Sequence, residues 1–224
     1  ADIVLRRGEV TALLGNNGAG KSTLVHLLCG LHQPTAGEVI VAGTPARFAS
    51  PRDARRAGIA TVFQNLALVD TADVKRNLFL GREPRRFRMF VDERAMVTEA
   101  RHRLASLRVH VPDLWALAGS LSGGQRQGVA IARALLGGAS VILMDEPTAA
   151  LGVRESEQVL SLIARLRDEG MAVLVVSHNL GHVYSVADRA VILHHGRVVD
   201  TCRMSDRSAE QIVGAMSGNL AVAS

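Results

Sequence analysis

Short apolar runs alternate along the chain with turn-forming glycines and prolines and with stretches of helical periodicity. The apolar runs predict strands over residues 10–14, 37–43, 58–63, 141–144 and 172–176. The helical stretches cover residues 22–28, 92–107 and 123–136, and a further one ends near residue 170. Because strands and helices alternate, we expect an α/β fold with a mainly parallel sheet that is covered on both faces.

The predicted helix over residues 92–107 has a clear apolar face. Met96, Ala100, Leu104 and Leu107 recur at helical spacing, and charged residues occupy the other side. This face is therefore expected to pack against the rest of the protein.

Residues 189–194 and 197–200 are predicted to form a β-hairpin. Strand geometry would point the adjacent side chains of His194 and His195 to opposite faces, so we expect no metal site built from these histidines.

Composition narrows the class of protein. With 224 residues, of which 48% are hydrophobic and 21% charged, the chain resembles an ordinary globular domain. No run approaches the ~18 apolar residues of a membrane-spanning helix, so any spanning part is expected to come from another chain. Cys29 and Cys202 lack a CxxC pattern, which favours a reduced, cytoplasmic setting.

The net charge of +5 comes almost entirely from arginine, because lysine occurs only at Lys21 and Lys75. The densest basic run covers residues 82–88 (REPRRFR). Clustered guanidinium groups near aromatic rings can bind nucleic acid or an anionic surface. A solvated surface loop explains the same run more simply.

The first predicted strand leads into a glycine-rich loop and then a helix. Residues 15–22 match the GxxxxGK[ST] pattern, in which backbone N–H groups surround a polyphosphate at a helix N-terminus. The predicted nucleotide-binding residues are Gly15, Asn16, Asn17, Gly18, Ala19, Gly20, Lys21, Ser22 and Thr23. Lys21 is expected to reach the terminal phosphates of ATP, and Ser22 to reach a Mg²⁺ ion.

Two carboxylates follow the apolar run at residues 141–144. Asp145 and Glu146 are expected at the C-terminal end of a buried strand, where open α/β sheets bind ligands. Alone, such a pair is better explained as a capped strand end. Together with the glycine loop, it predicts that Asp145 holds Mg²⁺ and that Glu146 polarises the attacking water.

A second candidate anion site lies in residues 121–127 (LSGGQRQ). The residues at this predicted helix start are Ser122, Gly123, Gly124 and Gln125. Their hydroxyl and N–H groups can bind an anion, although an ordinary helix N-cap is the alternative. Since one nucleotide does not need two such sites, we expect this one to serve the ATP of another protomer.

These three motifs resemble those of the ATP-binding-cassette (ABC) ATPases, and the resemblance covers the whole chain. It implies one ABC ATPase domain over residues 1–224, with a P-loop NTPase (RecA-like) core. It also implies a helical subdomain insert over residues 66–119 and a partial antiparallel β edge.

Gln64 and His178 match the Q-loop glutamine and the switch histidine of this family. The resemblance implies that Gln64 contacts Mg²⁺ and the attacking water and relays to a membrane partner, and that His178 bonds the γ-phosphate. The implied catalytic residues are Glu146, His178 and Gln64, and the implied Mg²⁺ ligands are Ser22, Gln64 and Asp145. The implied reaction is hydrolysis of ATP to ADP and phosphate.

The chain departs from the family pattern at two positions. Gly152 replaces an aspartate that contacts the opposite protomer in the family, so communication between the two sites is expected to differ. No aromatic residue precedes Gly15, although the family stacks adenine on one. We therefore expect an N-terminally truncated domain that lacks the first strand and its aromatic residue.

Three stretches most resemble ATPases of carbohydrate importers, namely residues 77–83 (NLFLGRE), 146–155 (EPTAALGVRE) and 177–180 (SHNL). The resemblance implies a peripheral subunit at the cytoplasmic face of the membrane. Its implied partners are transmembrane permease subunits, a second ATPase domain and, indirectly, a secreted sugar-binding protein, with no direct contact to nucleic acid. The alternatives are a soluble ABC ATPase acting on nucleic acid or ribosomes, and a regulatory module that binds ATP without hydrolysing it.

Overall fold

The computed structural model describes residues 1–87 and 89–218, and the chain forms two compact units. The first unit contains Ala1–Gln64, Gly137–Pro147 and the residues from Ile163 onward. The second unit contains Asn65–Leu136 and Thr148–Leu162. The predicted insert over residues 66–119 falls within the second unit, and its bounds stay a prediction.

The described residues form the following strands and helices. The strands are β1 (Glu9–Leu14), β2 (Val39–Val41), β3 (Thr44–Ala46), β4 (Ile59–Val62), β5 (Arg85–Arg86), β6 (Phe90–Val91), β7 (Val141–Asp145), β8 (Ala172–Val176), β9 (Arg189–His194) and β10 (Arg197–Arg203). The α-helices are α1 (Lys21–Leu28), α2 (Pro51–Arg56), α3 (Val74–Phe79), α4 (Glu93–Ser106), α5 (Gly123–Leu135), α6 (Val153–Asp168), α7 (Leu180–Val186) and α8 (Ala209–Met216). The pattern of apolar positions did not predict β3, β5, β6, α2, α3, α7 and α8, which are short.

The first unit is built on a six-stranded sheet in the order β10-β9-β1-β8-β7-β4. All neighbouring strands in it are parallel except β10, which runs antiparallel to β9 at the edge. The predicted α/β class with a mainly parallel sheet is confirmed. Because parallel strands end at the same edge, the segments that follow β1, β4, β7 and β8 all leave the sheet there.

Both faces of this sheet are buried, as expected for parallel strands joined by helices. Leu13 of β1 packs in one hydrophobic cluster with Val25 of α1. Ala12 and Leu14 pack in the other cluster with Val183 of α7. This period-two alternation holds the end of β1, where the glycine loop begins, between two packed layers.

The second unit is mainly helical, with α3, α4 and α5 packed on one another. Met96, Ala100 and Leu104 are buried on α4, as their spacing predicted. Among the described residues, no helix of either unit is long and apolar enough to cross a lipid bilayer.

The arginine-rich run in this unit is more ordered than a plain loop. β5 lies in this run and pairs antiparallel with β6, which follows the run. The exposed ring of Phe87 has its centroid 5.1 Å from the guanidinium carbon of Arg86. Arg88, which belongs to the predicted run, lies outside the described residues.

The turn between β9 and β10 corrects the prediction for the paired histidines. His195 and Gly196 both have positive φ, 46° and 76°. His195 therefore belongs to the turn and not to a strand, and its ring centroid lies 4.3 Å from that of His194. The two rings contact each other, so the prediction of opposite faces is wrong.

Candidate active site

The loop between β1 and α1 needs backbone conformations that other residues rarely adopt. Gly15, Gly18 and Gly20 have φ of 150°, 80° and 102°, a region that favours glycine. A Cβ on Gly15 would also collide with the carbonyl oxygen of Leu193 in β9. Glycine is thus required at this position for both conformation and space, as in a loop that surrounds phosphates.

The start of α1 presents its backbone donors without a competing side chain. Within the described part of the chain, no side chain caps this helix, and its first turn has no acidic residue. The first N–H groups of a helix and its dipole favour an anion at such an end. The ammonium of Lys21 donates to the carbonyl oxygens of Gly15 (2.7 Å) and Asn16 (3.1 Å), which holds its charge over the loop. Two exposed hydroxyl residues lie on the same turn, Ser22 and Thr23.

Asp145 is the half-buried last residue of β7. Desolvation raises the pKa of its carboxyl group, and the neighbouring Glu146 raises that pKa further. His26 and Lys21 oppose this shift only in part. A divalent cation beside Asp145 would offset the cost of its ionised form, and carboxylate, hydroxyl and amide oxygens are the ligands that Mg²⁺ prefers. The predicted ligands Ser22, Gln64 and Asp145 fit that chemistry.

Glu146 follows β7 in an unusual backbone conformation. Its φ is 50°, in the left-handed region that glutamate rarely adopts. The Glu146 N–H donates to the carbonyl oxygen of Val176 in β8 at 2.9 Å, which holds this turn against the neighbouring strand. Strained backbone of this kind often occurs at functional sites.

His178 lies beside Glu146, with its Nδ1 atom 2.8 Å from Glu146 Oε1. A carboxylate in its ionised form can only accept a hydrogen bond, and with that form of Glu146 the donor is the Nδ1–H tautomer of His178. The side chain of Glu146 is 16% exposed and that of His178 is 76% exposed. The carboxylate is therefore oriented by its surroundings, while the imidazole remains accessible to a ligand.

Gln64 is exposed two residues beyond the end of β4. β4 pairs in parallel with β7, so the segments carrying Gln64 and Asp145 leave neighbouring strands at the same edge. The first unit thus contains all the residues predicted for hydrolysis, here called the hydrolytic site: Lys21, Ser22, Gln64, Asp145, Glu146 and His178.

The second unit contains residues 122–125, here called the signature segment. Ser122 is the N-cap of α5, and its hydroxyl accepts the N–H of Gln125 at 3.4 Å. The side-chain oxygen of Gln125 accepts the N–H of Ser122 at 3.0 Å, which completes a capping box. Ser122 is thus an N-cap in this structure, and the capping box does not use the N–H groups of Gly123 and Gly124.

Sequence reasoning missed Glu155, which lies in the first turn of α6. Its Oε2 atom accepts the N–H of Gly152 at 3.2 Å. An acidic residue three positions after a helix start is a recognisable capping signal, so the sequence did contain a hint of this contact. The left-handed backbone of Glu146 had no such signal, because residue type argues against it.

The ABC transporter family model matches residues 1–149 of this chain. The chain belongs to the ABC transporter family. The resemblance predicted from the three motifs is confirmed, and so is the expectation of a nucleotide-binding cassette.

Curated relatives of this ABC cassette include sugar-import proteins. The xylose/arabinose import ATP-binding protein XylG of Sulfolobus acidocaldarius is 42% identical over 213 residues, 95% of this chain and 84% of that protein. The fructose import ATP-binding protein FrcA of Rhizobium meliloti is 44% identical, over 97% of this chain and 86% of that protein. The ribose import ATP-binding protein RbsA of Chromobacterium violaceum is 44% identical over 97% of this chain, which spans only 43% of that protein.

Solved structures of ABC cassettes share the fold. A nucleotide-free ATP-binding cassette from an ABC transporter superposes with a TM-score of 0.81 at 27% identity, covering 96% of this chain and 87% of that one. The cassette MJ0796, dimeric and bound to ADP and Pi in a post-hydrolysis state, gives a TM-score of 0.75 at 26% identity, covering 92% of this chain and 89% of that one. Similar cassettes therefore bind nucleotide and pair as dimers.

Proposed function

We propose that this chain hydrolyses ATP as the nucleotide-binding subunit of an ABC importer for a sugar. The observation that carries the proposal is the contact of 2.8 Å between Glu146 and His178 at the edge of the sheet where the glycine loop also begins. The names of the relatives, which specify xylose and arabinose, fructose, and ribose, support a monosaccharide as the cargo. They favour transport over the alternative of an ATPase that acts on nucleic acid.

The residues of the hydrolytic site divide the reaction among them. Residues 15–23 bind the phosphates through backbone N–H groups, and Lys21 adds a positive charge. Ser22, Gln64 and Asp145 would hold Mg²⁺, which supplies charge neutralisation on the phosphate oxygens when it is bound.

Glu146 accepts a proton from the attacking water while the oxygen of that water bonds to the γ-phosphorus. The bond between that phosphorus and the β–γ bridging oxygen breaks, and ADP carries the bridging oxygen away. His178 orients Glu146 and contacts the γ-phosphate with its exposed edge. Because the imidazole is far more exposed than the carboxylate, it is the member of the pair that meets the nucleotide first.

The signature segment is proposed to complete the site of a second ATPase domain. A single nucleotide occupies the cradle of residues 15–22, and the start of α5 offers a separate set of donors in Ser122, Gly123 and Gly124. The dimeric state of the related cassette supports such pairing. ATP then lies between two protomers, and its binding energy drives their closure.

The membrane partners in this proposal are permease subunits, with Gln64 and the segment 66–119 relaying closure to them. The chain then works as a peripheral subunit on the cytoplasmic face, and a secreted sugar-binding protein acts on the permease. Import is tested in cells that make this chain together with its permease and binding-protein partners, supplied separately with labelled xylose, arabinose, fructose and ribose. Uptake of at least one sugar that stops with Glu146→Gln is expected, and uptake of none of them would contradict the proposed cargo.

The paired site is tested by cross-linking. Cys29 and Cys202 are replaced, Glu146→Gln prevents hydrolysis, and one cysteine is placed at Asn17 in one preparation and at Ser122 in another. Mixed with Mg-ATP and a short bifunctional thiol reagent, the two preparations should give a covalent dimer with one chain of each kind. If ATP-dependent dimers form but these two positions never cross-link between chains, the head-to-tail arrangement is wrong.

A further inference from the structure

The last carbonyl group of α8 accepts hydrogen bonds from two side chains in other parts of the first unit. Asn16 of the glycine loop donates from its Nδ2 atom to the Met216 oxygen at 3.2 Å. Nδ1 of His194, the last residue of β9, lies 3.1 Å from the same oxygen. A carbonyl oxygen can only accept, so the imidazole donates through its Nδ1–H. One oxygen atom thus connects the glycine loop, the sheet and α8.

The end of a helix needs donors of this kind. The last four carbonyl groups of a helix have no N–H partner inside it, and Met216 is the last residue of α8. Donors from outside the helix therefore stabilise this end. Capping of α8 is one consequence of the two contacts, and a second consequence follows for the glycine loop.

Apolar packing anchors α8 on the sheet. Ile212 and Ala215 are buried in the same cluster as Leu14, the residue of β1 directly before the glycine loop. At its other end, α8 begins with a capping box between Ser208 and Gln211. The last carbonyl of α8 is therefore a well-held point of attachment for the exposed side chain of the loop.

The imidazole of His194 is confined by its neighbours. A Cβ on Gly218 would lie 3.0 Å from the Nε2 atom of His194, and Gly218 has a φ of 78°, so glycine lets the chain pass close to this ring. On the adjacent turn, the ring centroid of His195 lies 4.3 Å from that of His194. These contacts favour the orientation in which Nδ1 points at the Met216 oxygen.

The glycine loop is attached to the β9–β10 turn at a second point. The N–H of Gly196 donates to the carbonyl oxygen of Ala19 at 2.8 Å. Within the loop, the carbonyl oxygen of Asn16 accepts the N–H of Ala19 at 3.0 Å and the ammonium of Lys21 at 3.1 Å. Asn16 itself is exposed, and exposed loop backbone opens easily unless another element holds it. The bond to Met216 supplies that hold in the first half of the loop.

We propose that His194 and Asn16 are positioning residues that order the glycine loop before ATP arrives, with the Met216 carbonyl as their common point of attachment. This role rests on the binding of ATP by the glycine loop in the proposed function. A loop that is ordered in advance loses less conformational entropy when the ligand binds. Loss of the attachment therefore weakens ATP binding and leaves the chemical step at Glu146 unchanged.

The test measures the Kd for Mg-ATP, and the KM and kcat of hydrolysis, for three variants of His194. His194→Ala should raise Kd and KM roughly 3- to 10-fold, the effect of losing about one hydrogen bond, with kcat within about twofold. His194→Asn should keep the parent values, because the donor nitrogen is bonded to Cγ in both residues. His194→Gln, whose donor nitrogen is one bond further from the backbone, should behave like His194→Ala.

Ser208→Ala is the matched control for the stability of α8. It removes the N-cap at the opposite end of the same helix and should lower the melting temperature. The Kd for Mg-ATP should nevertheless stay within about twofold of the parent value. If Ser208→Ala and His194→Ala lower the melting temperature equally and also raise the Kd equally, His194 acts only through the stability of α8 and the positioning role is wrong.

A double-mutant cycle tests whether His194 acts through Asn16. Asn16→Ala should also raise the Kd for Mg-ATP, because it breaks the attachment directly. In the Asn16→Ala chain, adding His194→Ala should raise the Kd further by less than about twofold, since His194 then has no bond through Met216 to the loop. Effects of the two substitutions that multiply would show an independent route and overturn the common point of attachment.

The remaining outcomes separate this role from the proposed function. Equal Kd values in the parent, His194→Ala and Asn16→Ala overturn the positioning role and leave the proposed ATPase standing. A Kd for His194→Asn as high as that for His194→Ala overturns the role of the Nδ1 donor. If His194→Ala does not fold, His194→Gln must raise the Kd in its place, and a parent-like Kd contradicts the proposal. A parent chain that binds no Mg-ATP contradicts the proposed function itself, and the positioning role falls with it.

Discussion

The two helix starts that are proposed to bind phosphate, at α1 and at α5, are built in different ways. None of the described side chains caps α1, which begins with Lys21 after glycines in conformations that other residues rarely adopt. α5 begins with a complete capping box, and Oε2 of Glu155 lies 3.4 Å from the position that a Cβ on Gly123 would take. The first start is ready for a phosphate, whereas the second already has partners within its own unit. The capping box already uses the N–H groups of Ser122 and Gln125, so a ligand at the second start finds fewer donors than one at α1, which is a physical reason for nucleotide to bind first at α1.

The largest expected effect tests whether the hydrolytic site, and not the signature segment, contains the catalytic carboxylate. Glu146→Gln should slow phosphate release ~10²- to 10⁴-fold, which corresponds to about 3–5 kcal/mol of transition-state stabilisation. ATP affinity should stay close to that of the parent, because the amide keeps the shape of the side chain. Phosphate release and equilibrium ATP binding measure the two quantities, with Glu157→Gln as the matched control. Near-normal turnover in Glu146→Gln would remove the catalytic role.

The next prediction compares the two starts directly. Lys21→Ala should weaken ATP binding by a single chain by roughly 10- to 100-fold, since it removes a charge-assisted contact to phosphate. Ser122→Ala should change that affinity by less than about twofold, because Ser122 is proposed to contact only the ATP that is bound to the glycine loop of a second chain. Isothermal titration at concentrations where the chain is monomeric distinguishes the two. Equal losses in both variants would mean that one chain uses both starts for one nucleotide.

A smaller effect concerns the stability of the second start. Ser122→Ala removes the N-cap of α5 and should lower the free energy of unfolding by about 1 kcal/mol, or roughly 2–4 °C in melting temperature. Gln125→Ala, which removes the other half of the capping box, should act in the same direction. Thermal unfolding without nucleotide measures both variants. An unchanged melting temperature for both variants would contradict a stabilising role of the capping box.

The smallest expected effect is an increase in melting temperature, and it concerns Asp145 in the first unit. The pKa of Asp145 is raised in the folded state, so its contribution to stability is present below the ordinary pKa of aspartate and is lost as pH rises through the raised value. Asp145→Asn should therefore increase the melting temperature of the nucleotide-free chain by about 1–3 °C near pH 7. That gain should shrink as pH falls towards about 4, the ordinary pKa. Thermal unfolding across this pH range is the measurement, and a gain that does not change with pH would contradict the assignment.

Binding of Mg-ATP provides the control for this last prediction. It should raise the melting temperature of the parent chain by mass action, and it should raise that of Asp145→Asn less, because the variant lacks one of the proposed oxygen ligands. If Mg-ATP raises the melting temperature of Asp145→Asn as much as that of the parent, Asp145 is not a Mg²⁺ ligand.

The fold was predictable where local chemistry determines backbone structure. The wholly apolar runs at residues 141–144 and 172–176 became β7 and β8, and the spacing of Met96, Ala100 and Leu104 placed them on a buried helix face. The short pair β5 and β6 was not predicted, because strands of two residues carry too few positions for a period to be visible.

Neighbouring residues in a recognisable order were enough to predict the glycine loop, the carboxylates after β7, the signature segment and the family to which the chain belongs. Packing between distant elements was needed to establish that Glu146 has a left-handed backbone held by Val176, that its carboxylate lies 2.8 Å from His178, and that Glu155 lies close to Gly123. These contacts join residues far apart in the chain. They depend on how strands and helices pack, and that information is absent from local periodicity.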